Sequence, residues 1–156
     1  MLRPAAGTDV ALIVNVVNRA YRVEDDFIVG DRLTADAVMA SLARLDRHVI
    51  VAQASPGSRL DGAVLIEIRG ASGYFGPLAV DPDSQGRGVG RLLVEAAAEY
   101  CRRRGCRQLD IDVLNVRPEL LAIYEGMGFT RGGTAAYPYP EKLRRPAHLI
   151  LMSRPL

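Results

Sequence analysis

Asp81-Pro82-Asp83-Ser84-Gln85-Gly86-Arg87-Gly88-Val89-Gly90-Arg91 joins a short apolar segment to the longest helical pattern in the chain. Three glycines at alternate positions lack Cβ, so the backbone N–H groups there can approach a ligand closely. Behind them Leu92, Leu93, Ala96, Ala97 and Tyr100 recur at helical spacing and predict a helix over Val89–Arg104 with that stripe buried. Arg102, Arg103 and Arg104 sit where positive charge suits a helix end, and Gly105 is the stop. The opposite end leaves N–H groups unpaired and carries the positive pole of the dipole. Helix starts ordinarily favour Asp or Glu, yet the charges here are Arg87 and Arg91. Their placement costs roughly a few tenths of a kcal/mol unless an anion joins them. A tight turn accounts for the glycines alone; a phosphate or pyrophosphate cradle accounts for the glycines and the arginines.

Upstream, Leu2–Pro4 reads as a short strand, and Thr8 or Asp9 caps a helix whose stripe is Val10, Ile13, Val14, Val17 and Tyr21. Val23–Leu33 is acidic and irregular and reads as a solvated loop; its acids Glu24, Asp25, Asp26 and Asp31 would alternatively face a cationic ligand. Thr34 opens a second helix to about Leu45, with Val38, Leu42 and Leu45 on one side. His48–Ala54, Gly62–Arg69 and Gly73–Val80 follow as strands separated by turns rich in Gly, Pro and Ser. Downstream come a strand at Gln108–Leu114, a short helix at Pro118–Met127 stopped by Gly128, and strands at Phe129–Thr134 and Ala147–Ser153. The order β-α-α-β-β-β-α-β-α-β-β predicts a mixed α/β sheet with an antiparallel meander in its middle.

The 156 residues, 49% hydrophobic and 24% charged, predict one globular domain over residues 1–156. No apolar run is long enough for a membrane span, and no small-residue cleavage site marks a secretory signal, so a cytoplasmic protein is expected. Cys101 and Cys106, with only His48 and His148 besides, make neither a disulfide framework nor a zinc site; no metal is expected. A net charge of +2 is too weak for a nucleic-acid surface. A P-loop would need a Gly-Lys-Ser/Thr tripeptide, which the chain lacks. A dinucleotide turn finds a ribose-binding acid in Asp110 or Asp112. The glycines, however, are spaced Gly-x-Gly-x-Gly, and no second half-domain follows.

Val80-Asp81-Pro82, then Gln85-x-x-Gly88-x-Gly90, then Leu92-Leu93 resembles the acyl-CoA signature of the GNAT N-acetyltransferase superfamily. Tyr124-Glu125-Gly126-Met127-Gly128-Phe129 resembles its downstream motif, and Leu2-Arg3-Pro4-Ala5 with Asp9 fits its opening; Arg117-Pro118-Glu119-Leu120 resembles an uncharacterised bacterial subgroup. The resemblance implies a mostly antiparallel central sheet of six to seven strands with about four flanking helices. It also implies acetyl-CoA as cosubstrate, with backbone groups of Leu78, Ala79 and Val80 pairing with the pantetheine arm. The N–H groups of Gln85, Gly86, Arg87, Gly88, Val89, Gly90 and Arg91 would hold the pyrophosphate. Tyr124 would sit by the thioester sulfur. The family's Asn, seven residues before that Tyr, is Arg117 here, and Asn115 is the nearby candidate for the pantetheine contact.

The implied chemistry is direct attack of an amine on a thioester, with both substrates bound. The acceptor would be a small molecule or a peptide, and the family suggests a homodimer. A thiolate leaving group with a pKa of about 8.5 faces a Tyr of about 10, so full proton transfer from Tyr124 is uphill by roughly 2 kcal/mol and a hydrogen bond is the safer role. The acceptor ammonium must also lose a proton. Glu67, inside an apolar strand, is the candidate base; its plainer reading is a pair with Arg69. Asp110 and Asp112 share a face that reads as solvated, and Tyr74 and Tyr137 are candidates for the acceptor pocket. Two readings stay beside the enzyme: a non-catalytic acyl-CoA-binding module and a dinucleotide-dependent reductase.

Overall fold

Val49-Ile50-Val51-Ala52 and Ala63-Val64-Leu65-Ile66 are apolar at every position, as strands are when both of their faces are covered. The computed structural model describes Met1–Leu156 throughout and buries all eight of these side chains. Its elements are β1 (Leu2–Pro4), α1 (Val10–Tyr21), α2 (Ala35–Ala43), β2 (Arg47–Gln53), β3 (Leu60–Arg69), β4 (Ser72–Val80), α3 (Val89–Arg103), β5 (Gln108–Leu114), α4 (Pro118–Gly126), β6 (Thr130–Ala136) and β7 (His148–Pro155). Helices and strands follow the order read from the sequence. The seven strands form one sheet in the order β1-β2-β3-β4-β5-β7-β6, antiparallel except between β4 and β5.

Period-two alternation divides the core between the two faces. Val49, Val51, Ala63 and Leu65 pack with Ile13, Val16 and Val17 of α1 and Val38 of α2. Ile50, Ala52, Val64 and Ile66 pack with Leu93, Val94, Ala97 and Cys101 of α3 and with Leu121 of α4. The stripe expected on α3 is displaced by one residue: Leu93, Val94, Ala97, Ala98 and Cys101 are buried, while Leu92 is 56% exposed. The reason lies in the sheet. A Cβ on Gly62 would stand 2.9 Å from Leu93 Cδ1, and one on Gly73 would stand 2.3 Å from Cys101 Sγ. Two side-chain-free positions therefore receive Leu93 and Cys101, and they choose the face. The second helix also ends earlier than expected, at Ala43, leaving Leu45 fully in solvent.

One irregularity shapes the rest of the molecule. Ile66 pairs with Phe75 and Val64 with Leu78, so β4 carries one residue more than β3 at this point. Strand β4 pairs with β5 only over Ser72–Tyr74. Past that short ladder, the edge of β4 from Leu78 to Val80 faces a cleft, with α3 on one side and α4 on the other.

Candidate active site

Leu78 and Val80 aim polar groups into this cleft. Tyr21 Oη donates to Leu78 O at 3.1 Å, and Gln85 Nε2 donates to Val80 O at 3.4 Å, so neither carbonyl is turned toward β3. In an extended strand the N–H and C=O of one residue point to the same side, so the N–H groups of Leu78 and Val80 also face the cleft. An added extended chain would find here the donors and acceptors of a missing strand.

The glycine turn is fixed from beneath. Buried Asp81 accepts from Asp83 N at 2.9 Å and pairs with Arg19 at 2.7 Å, while Ser84 Oγ donates to Asp61 at 2.7 Å. Gly88 then caps α3 with φ at +81°, a left-handed conformation that favours glycine. No acid stands in the first helical turn, which leaves the positive end of the dipole uncompensated. A cavity of about 420 Å³ runs from Leu78, Ala79 and Val80 along Gln85, Gly86, Gly88, Val89 and Gly90 to α4. These residues fit an acyl-CoA: a strand edge for an amide-bearing arm, then a donor-rich turn for a diphosphate.

Three of the expected cofactor-binding residues do not line the cavity. The side chains of Arg87 and Arg91 are exposed and form no part of the cavity wall. Asn115 is also outside the wall, its Oδ1 accepting from His148 N at 2.9 Å and its own N donating to His148 O at 2.9 Å. Arg117 lines the cavity in its place.

A second cavity of about 450 Å³ meets the first at Tyr21, Leu120 and Tyr124, which line both. Five of the six tyrosines line it, Tyr74 and Tyr137 among them. Glu24, read from the sequence as part of a solvated loop, is instead buried in its wall. Its carboxylate binds Arg32 at 2.5 Å and, from the far side, Arg117 at 2.6 Å. Arg117 also contacts Glu119. No local pattern could have shown this pair, because its partners are 93 residues apart.

Tyr124 packs edge-on against Phe129 at 5.7 Å and tilted against Phe75 at 6.1 Å. Burial pushes its hydroxyl well above the ordinary tyrosine range, which makes full proton donation harder still and leaves hydrogen bonding as its chemistry. Tyr21 is pushed up to about 12, again chiefly by burial, and remains a donor to Leu78. Glu67 is a correction. It lines neither cavity, and its carboxylate is held by Arg69 at 3.2 Å and Arg47 at 3.6 Å, with Arg69 stacked over the Tyr74 ring between it and the second cavity. Burial pushes the Cys101 thiol up to about 12, consistent with a packing residue.

The profile of the Acetyltransferase (GNAT) family matches residues 17–129, most of the chain. The chain belongs to the GNAT acetyltransferase family. Among curated GNAT relatives, streptothricin acetyltransferase of Streptomyces lavendulae is 33% identical over 78 residues, 50% of this chain and 41% of that one. The [ribosomal protein bS18]-alanine N-acetyltransferase of Salmonella typhimurium is 36% identical over 63 residues, 40% of this chain and 43% of that one. The chain thus spans less than half the length of these relatives. Among solved structures, the Thermoplasma acidophilum PaiA N-acetyltransferase in complex with coenzyme A superposes with a TM-score of 0.82 at 14% identity, covering 100% of this chain and 98% of that one. The Escherichia coli ribosomal-protein-S18-alanine N-acetyltransferase gives 0.77 at 20%, covering 99% and 92%. These two likenesses are of fold.

Proposed function

We propose that this GNAT protein transfers an acetyl or short acyl group from acyl-CoA to an amine, by direct attack with both substrates bound. The observation that carries the reading is the meeting of two cavities at Tyr21, Leu120 and Tyr124, beside the open edge of β4 at Leu78. The pantetheine arm would add to Leu78–Val80 as a strand, and the turn from Gln85 to Arg91 would hold the diphosphate on its N–H groups. Arg117, with five N–H donors, takes the pantetheine contact in place of Asn115, which lies outside the cavity wall with its Oδ1 accepting from His148 N. A backbone N–H at Leu78 polarises the thioester carbonyl, a contribution of about 3 kcal/mol. Tyr124 hydrogen-bonds the departing sulfur.

The acceptor enters from the tyrosine-lined side. Named relatives act on a small molecule, streptothricin, and on a protein alanine, and both classes remain acceptors within this reading. Residues 1–156 act as one acetyltransferase domain in the cytosol, either singly or as a pair of identical chains. The test is release of free thiol from acetyl-CoA with a panel of amines and N-terminal peptides. Amine-dependent release is expected, whereas CoA binding without release from any acceptor would leave only an acyl-CoA-binding module.

A further inference from the structure

Asp112 projects from the middle of β5 into the second cavity, and its surroundings set it apart from the other acids there. Glu24 has two arginines and Asp31 has Arg22 at 2.5 Å. Asp112 has no Arg, Lys or His within ion-pair distance; it accepts one hydrogen bond, from Tyr74 Oη at 3.0 Å. A half-buried carboxylate with one neutral donor has lost hydration that nothing in the chain fully replaces. Two of the three cations in the wall are already engaged, Arg32 by Glu24 and Arg69 by Glu67; the third, Lys142, lies against exposed Tyr139. The position of Asp112 is also telling. Tyr74 Oη stands 2.7 Å from where a Cβ on Gly76 would be, so the Tyr74–Asp112 pair rests against the bulge of β4, two residues before Leu78. The remaining wall offers tyrosine rings, which bind both apolar bodies and cations.

We infer that Asp112, oriented by Tyr74, is the binding site for the acceptor's ammonium group, and that the acceptor is a primary ammonium carried on an apolar or aromatic body. This rests on the acyl-transfer reading only for the word acceptor; the cation site itself stands on the cavity. Asp112 captures and aims the nitrogen. One ammonium proton is released to water before attack. As the C–N bond forms and the C–S bond breaks, a second proton ends on the CoA sulfur.

The test is calorimetric titration of the protein, with and without CoA, by phenethylammonium and by its neutral analogue 2-phenylethanol. The native protein is expected to prefer the ammonium by about tenfold, and Asp112→Asn to bind both probes alike, with CoA affinity within about twofold of native. Asp112→Ser serves if the Asn variant melts early. Equal binding of the two probes by the native protein overturns the assignment, as does a preference that survives in the variant. A native protein that prefers the ammonium but binds no CoA would instead remove the acyl-transfer reading and leave the cation site standing.

Discussion

At Gly88, φ of +81° leaves room for a Cβ, with no atom within 4 Å, but makes the backbone itself strained for any L side chain. Gly88→Val therefore acts by turning N–H groups away from the anion rather than by blocking space. A fall of about tenfold or more in CoA affinity is expected by calorimetry, with the fold retained by circular dichroism. Tyr124 makes a separate prediction. Removing its hydroxyl leaves the ring contacts with Phe75 and Phe129 in place. Tyr124→Phe should then lower kcat by about tenfold while CoA affinity stays within a few-fold; equal losses in both would make it a packing residue. Asp9 shows a carboxylate working for stability. Arg3 holds it by two bonds of 2.8 and 2.9 Å, and Ala6 N adds a third at 2.8 Å. Arg3 above all holds its carboxyl below the ordinary range. The folded value being the lower, this stability is complete above the unfolded value of about 3.9 and is lost as pH falls through the folded one. Melting curves should show Asp9→Asn less stable at neutral pH by about 2 kcal/mol, with the gap from native closing below about pH 4.

At the scale of elements, what the sequence disclosed was whatever is written locally. The strand from Val49 to Ala52, the α3 stop at Gly105 and the glycine turn each carry their own pattern of apolar spacing or left-handed residues. Which face of α3 is buried was not local, because Gly62 and Gly73 on the facing strands select it. Gly62→Ala tests that packing. Its Cβ would meet Ala79 O at 2.7 Å and Leu93 Cδ1 at 2.9 Å, neither able to retreat, and denaturation should show a loss of about 1–3 kcal/mol. Glu24 was misread for a similar reason: an acidic stretch looks solvated until Arg117 arrives from the other side of the cleft. The same holds for Asn115 and Arg117: that Arg117 and not Asn115 lines the cavity goes with β7 reaching Asn115 through His148.

Across the whole molecule, the β4 irregularity, the short β4–β5 ladder and the joined cavities make one device. The sheet opens where a strand is missing, and the glycine turn stands at one end of that opening. The mostly antiparallel sheet of six to seven strands and the family were legible from two motifs because each sits at a fixed joint of that opening; the order of strands in the sheet and the acceptor wall were not, the wall assembling from residues as far apart as Glu24 and Tyr139. No helix of the chain is long and apolar enough to cross a membrane. The central claim is that this opening binds acyl-CoA, and thermal unfolding with acetyl-CoA, CoA, NADH and ATP in parallel tests it most directly. At a hundred times its dissociation constant a ligand adds about 2.7 kcal/mol, which for a chain of this size raises Tm by several degrees. A rise with acetyl-CoA and CoA well beyond that with the other two is predicted. No rise with either at millimolar concentration, or a rise with NADH alone, would contradict it.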